Sequence, residues 1–126
     1  MSDIHKNMKV TVVVNSCGRL DLLKRTMDSF IEFNTFPIER IIIVDDSGDV
    51  LVHHQLKIDY PDCHLILEKH RGLIACIDDA FSQVETPYIF KLEDDWEFYR
   101  PGFIKESISI MEQCPEIVNV WLRERN

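Results

Sequence analysis

Apolar residues along this chain alternate between two periods. Residues 9–15, KVTVVVN, form a near-continuous β-branched run, the pattern of a strand buried on both faces. From Leu20 the spacing changes: Leu20, Leu23, Met27, Phe30 and Ile31 predict an amphipathic helix that ends near Phe33. The segment NTFPIE breaks it, and RIIIVDD, residues 40–46, predicts a second buried strand followed by the turn residues Ser47, Gly48 and Asp49. A weaker helical segment spans Val50 to Ile58 and is closed by Tyr60 and Pro61. A third strand is expected over 64–70. The next helix is marked by Leu73, Ile74, Ile77, Ala80, Phe81 and Val84, and stops before Thr86 and Pro87. YIFKLED then predicts a fourth strand, Pro101 and Gly102 open a helix through about Gln113, and IVNVWL, residues 117–122, predicts a fifth strand.

Helices alternating with doubly buried strands define an α/β sheet with mostly parallel strands, joined by right-handed crossovers and flanked by helices. With 126 residues and no repeat, low-complexity tract or linker, the expectation is a single domain over 1–126. In such sheets ligands lie beyond the carboxyl ends of strands, near a reversal of strand order. Three predicted strand ends carry polar chemistry: NSCGR after the first, Asp45-Asp46 after the second, and Glu93-Asp94-Asp95 after the fourth.

Composition narrows the chemistry. A net charge of −8, from 14 basic and 22 acidic residues, argues against a nucleic-acid partner, which needs a basic face. The four cysteines show neither C-x-x-C nor zinc spacing, so reduced, partly buried thiols are expected. The N-terminal MSDIHKNMK has no apolar core of a signal peptide and no run is long enough for a membrane span, so a cytoplasmic protein is expected. The first turn lacks G-x-G-x-x-G, and neither G-K-[ST] nor G-x-S-x-G occurs.

Three adjacent carboxylates repel one another. A hard divalent cation such as Mg²⁺ or Mn²⁺ would offset them, since such ions take oxygen ligands and are often held by one or two carboxylates with phosphate and water completing the shell. Strand alternation places Glu93 and Asp95 on one side and Asp94 on the other, so only part of the triplet should meet metal. A lone Asp-Asp in a loop is most often a solvated turn; two such pairs at matched strand ends favour a site. Arg19, His70 and Arg71 follow strands and are candidates for phosphate contact, with solvated loop positions as the alternative. His53 and His54 are assigned to a solvated helix face, Asp78 and Asp79 to an exposed one, and Trp96 to packing against the acidic turn.

VTVVVNSCGRLDLLKRTMDSF, IIIVDDSGD and YIFKLEDDWEFYRPGF, in this order, resemble the nucleotide-sugar-binding half of GT-A glycosyltransferases, especially the family 2 type. The EDD form with its following aromatics and Pro is similar to N-acetylglucosaminyltransferase I. The resemblance implies a Rossmann-like GT-A nucleotide-diphospho-sugar transferase core, apparently truncated, that takes a UDP-sugar donor with Mn²⁺ or Mg²⁺. It implies that Asp46 hydrogen-bonds the N3–H of uracil, that Arg19, matching the Arg of a C-x-R segment, lies against the nucleotide, and that Asp95 binds the metal bridging the pyrophosphate. Asp94 and Glu93 would face the ribose and donor sugar.

That family carries its acceptor site and catalytic base in a second half. Glu97, Glu106, Glu112, Glu116 and Glu124 are available here, yet none sits in a recognisable base motif, so the catalytic residue is unassigned. Two other classes compete: a receiver-like Mg²⁺-binding signalling domain, and a nucleotide-binding module without turnover. A terminal strand left uncovered would favour a homo-oligomer.

Overall fold

The computed structural model describes residues 9–117, 119, 120 and 122. Four parallel strands form one sheet: β1 (Val10–Ser16), β2 (Arg40–Asp45), β3 (His64–Leu67) and β4 (Tyr88–Glu93), in the order β3-β2-β1-β4. The helices are α1 (Leu20–Phe33), α2 (Val50–Asp59), α3 (Leu73–Ser82) and α4 (Phe103–Gln113). In a receiver-like sheet the order is 2-1-3-4-5; here β1 lies between β2 and β4, the arrangement of the first Rossmann half.

Crossover handedness explains the layers. From β1 to β2 to β3 the chain steps in one direction, and right-handed connections put α1 and α2 on the same face. The step from β3 to β4 runs back past β2 and β1, so α3 must cover the opposite face. The core divides accordingly. Val10, Val12 and Val14 pack with Leu23, Met27 and Phe30 of α1, Leu56 of α2 and Phe103, Ile104 and Ile108 of α4. Val13, Ile42 and Val44 pack on the other face with Cys76 and Ala80 of α3. The parallel register, Val13 opposite Ile42 and Val12 opposite Phe90, keeps each set on one side.

Several boundaries differ from the periodicity. β3 ends at Leu67 rather than residue 70, because the chain turns to bond the β2 loop: Glu68 N donates to Asp45 O at 2.8 Å and His70 N to Asp46 O at 3.1 Å. Ile31, Leu73 and Ile74 are exposed, the last by 78%, so the apolar stripes of α1 and α3 are narrower than their sequence. The fifth strand, expected over 117–122, is not formed at the described residues 117, 119, 120 and 122, and the rest of it lies outside the described residues. Leu122 instead packs against the first core, a burial that a short apolar run can reach without pairing. Among the described residues no helix is long and apolar enough to cross a membrane.

Candidate functional site

Because all four strands are parallel, their carboxyl ends share one edge, and the register sets Ser16 opposite Asp45 and Asn15 opposite Glu93. Strand order reverses between β1 and β4, which places the crevice expected of an open α/β sheet between the β1–α1 turn and the acidic turn after β4. Arg19 bridges that crevice. Its Nε donates to Asp94 Oδ2 at 3.1 Å while Nη2 bonds Oδ1, a two-pronged guanidinium–carboxylate pair. The Asp94 side chain is 3% exposed and that of Arg19 55%, so one partner is fixed in the fold and the other reaches toward solvent.

The acid triplet therefore splits three ways. Asp94 turns inward to Arg19. Glu93 is half-buried and paired with Lys91 on the same strand face. Asp95 is exposed, and no hydrogen bond or ion pair holds its carboxylate among the described residues.

The other acidic pair is bound into the protein. Asp45, at the end of β2, is fully buried and accepts from Ser16 Oγ at 3.1 Å, Gly18 N at 2.9 Å, Ser47 N at 2.9 Å, Ser47 Oγ and His53 Nε2 at 3.2 Å. Burial pushes this carboxyl up, but the bonds from Ser47, Gly18 and Ser16 outweigh it and hold it below the ordinary carboxylate value. An ionised carboxylate only accepts, so His53 carries its proton on Nε2. Gly18 makes this possible with φ +78°, a left-handed conformation that aims its N–H at Asp45, and an added Cβ would meet Ser47 Cβ at 3.3 Å.

Asp46 ties β2 to the β3–α3 loop. Its Oδ1 accepts from Arg71 N at 2.8 Å and its Oδ2 from Gly72 N at 2.9 Å. The Arg71 amide bond lowers its carboxyl most, and the Gly72 amide adds to this against burial. The Cys76 thiol is pushed up to about 11 by burial and by its bond to Asp46. Asp46 N in turn donates to Ser16 O at 3.2 Å, so the β1, β2 and β3 loops form one bonded rim.

Three placements, those of His53, Asp79 and Cys17, correct the sequence reading. His53 is not on a solvated face, because α2 docks it against Asp45 with its side chain 18% exposed. Asp79 is half-buried and takes the Arg71 guanidinium, which also bonds Glu68 at 3.2 Å; that side chain folds back along α3. Cys17 is exposed, whereas Cys76 is buried. Trp96, next to the acidic turn, lies 6.1 Å from the ring of Phe98, which in turn contacts Phe30, Phe90 and Phe103, and its carbonyl is bound by Thr26. Thr26 and Ser29 were not singled out from the sequence; Ser16 was marked only as part of the NSCGR strand end and Ser47 only as a turn residue.

Among the described residues no three His, Cys, Asp or Glu side chains gather into a metal cage. A hard cation that keeps phosphate and water ligands needs only one or two protein carboxylates, and the exposed Asp95 beside Arg19 fits that donor set. A concavity of about 380 Å³ opens on Gly18, Arg19, Leu20, Asp21 and Leu22. A larger one, about 460 Å³, lies between Trp96–Arg100 and α4; its walls are mainly apolar and it sits away from the strand-end turns of β1 and β2.

The model of the family described as glycosyl transferase family 2 matches residues 11–126. A search of the curated proteins finds no match. Among solved structures, the fold is similar to that of S. aureus TarS 1-349, with a TM-score of 0.61 and 19% identity over 84% of this chain and 33% of that one. It is equally similar to S. aureus TarS 1-349 in complex with UDP-GlcNAc, with a TM-score of 0.62 and 18% identity over 84% of this chain and 32% of that one. For the complex with UDP the TM-score is 0.60 at 18% identity, again over 84% and 32%. The chain thus spans about a third of these TarS 1-349 chains, and 20% of the S. aureus TarS chain it also matches.

Proposed function

We propose, from the premise that this chain belongs to glycosyl transferase family 2, that its strand-end crevice binds the diphosphate of a UDP-sugar as the donor site of a sugar transfer. The observation that carries this reading is the meeting of Arg19 and the acidic turn across the point where strand order reverses, with Asp95 exposed beside them. Two of the similar structures hold UDP-GlcNAc and UDP, which supports the choice of nucleotide.

Each residue has a distinct part. Asp94 holds the guanidinium of Arg19 in one pose, and the exposed remainder of that fork faces the diphosphate. Asp95 is the protein ligand for Mn²⁺ or Mg²⁺. A cation held there would supply positive charge to offset the charge that develops on the departing diphosphate. Asp46 keeps acceptor capacity beyond its two loop amides and takes the N3–H of uracil. Glu93 lies toward the donor sugar. Of the later carboxylates, Glu106 is paired with Arg100 and Glu112 accepts from Tyr88, while Glu124 lies outside the described residues.

Calorimetric titration with UDP and UDP-GlcNAc, in Mn²⁺ and in chelator, tests the reading. Tighter binding in Mn²⁺ is expected, with the gain removed by Asp95→Ala and overall affinity reduced by Arg19→Ala. Equal affinity in chelator would overturn the metal role. Absence of UDP binding in both conditions would overturn the donor site itself.

A further inference from the structure

The buried face of α1 carries hydroxyls where its apolar stripe would otherwise continue. Thr26 is 0% exposed and Ser29 8%, between Leu23, Met27 and Phe30. Burying a hydroxyl is unfavourable unless it is hydrogen-bonded, and both are bonded to the same segment. Thr26 Oγ1 lies 2.8 Å from the carbonyl oxygen of Asp94 and 2.7 Å from that of Trp96. Phe98 N donates to Ser29 Oγ at 3.0 Å, and the Ser29 hydroxyl donates to Thr26 O at 3.1 Å. Arg19, at the head of the same helix, holds the Asp94 carboxylate. At 3.6 residues per turn, positions 19, 26 and 29 fall along one side of α1.

The carbonyls that Thr26 binds belong to the residues on either side of Asp95. We propose that this polar ridge of α1 sets the place of the acidic turn, with Thr26 and Ser29 as positioning residues for Asp95. The hydroxyl has one proton and shares it between the two carbonyls, so the backbone of Asp95 is bracketed while its side chain stays free to meet a cation. The inference rests on the reading of Asp95 as a cation ligand and adds what orients it.

The test uses the full chain, titrated by calorimetry with Mn²⁺ at saturating UDP and separately with UDP in chelator. Thr26→Val keeps the shape and removes the hydroxyl; supporting partners of a metal ligand change metal affinity by about tenfold or more, and a loss of that size is expected. UDP affinity in chelator should stay at the wild-type value, and Thr26→Ser should restore Mn²⁺ uptake. Ser29→Ala, a smaller change at the end of the ridge, should lower Mn²⁺ affinity in the same direction and serves if Thr26→Val does not fold. Wild-type Mn²⁺ affinity in Thr26→Val, or in Ser29→Ala where that variant stands in, would overturn the inference alone. An equal loss of UDP binding in chelator would also overturn it, since the ridge would then serve the fold in general. A wild-type chain indifferent to Mn²⁺ would overturn the Asp95 reading and the inference with it.

Discussion

The Asp-Asp pair that ends β2 is bound into the fold through both members, whereas the pair that follows β4 is bound through only the first. Asp45 has five donors and Asp46 an amide on each oxygen. Asp94 is closed by Arg19, and Asp95 is exposed beside it. The difference follows from the neighbours of each strand. β2 is interior, with the β1 and β3 loops on either side to supply N–H groups, while β4 has β1 as its one partner among the described strands. A central strand end thus becomes a clip between loops. An outer one leaves a carboxylate exposed to solvent.

Replacing one carboxylate of each pair is the sharpest way to break this comparison. Asp45→Ala leaves five donors without their acceptor in a buried place and should cost about 3 kcal/mol, the range for breaking a buried charged network. Asp95→Ala should change stability by less than about 0.5 kcal/mol, as exposed substitutions do. Urea unfolding of the two variants beside the wild type measures both values. Equal destabilisation would mean that Asp95 is as much a part of the fold as Asp45.

Acid comes next in expected size, and its sign can be fixed. The carboxyls of Asp45 and Asp46 both lie below their ordinary value of 3.8. Their contribution to stability is complete above that value and is lost as pH falls through the lower value of the folded chain. Urea midpoints taken from neutral pH downward should therefore drop in acid. Asp45→Asn, already unable to ionise there, should begin less stable and show a shallower drop. Parallel curves for the two proteins would remove Asp45 from the acid response.

Strands were legible because β-branched runs admit few alternatives, as VTVVV and IIIV show, and strand-end acids were legible because alternation and turn residues frame them. Strand order was not, since β4 joins β1 across most of the chain; only the whole set of crossovers places it. Partner choice was hidden for the same reason. Arg19 meets Asp94 and Ser16 meets Asp45 through contacts that no local spacing encodes. The extra apolar residues at the head of α3, Leu73 and Ile74, misled because periodicity gives the centre of a buried stripe and not its width. At its described residues 117, 119, 120 and 122 the last apolar run forms no strand, and a short apolar run does not by itself distinguish pairing from the packing that Leu122 makes.

His53 gives the smallest effect and isolates one bond of the β2 clip. The helix that carries it, α2, has weak amphipathic character, with Val50 and Leu51 exposed and Leu56 buried, so its sequence could not say which face turns inward. Capping decides the entry instead. The Asp49 side chain accepts from Leu51 N at 2.9 Å and Val52 N at 3.3 Å, which starts the helix and sets His53, one turn later, over Asp45. His53→Ala removes one donor among five and should cost about 1 kcal/mol, the usual net value of a hydrogen bond. His53→Gln can still present an N–H and should retain part of it. The same urea series resolves the order wild type, Gln, Ala. If Ala and Gln fall together, the ring of His53 acts by packing, and the clip closes on Asp45 without it.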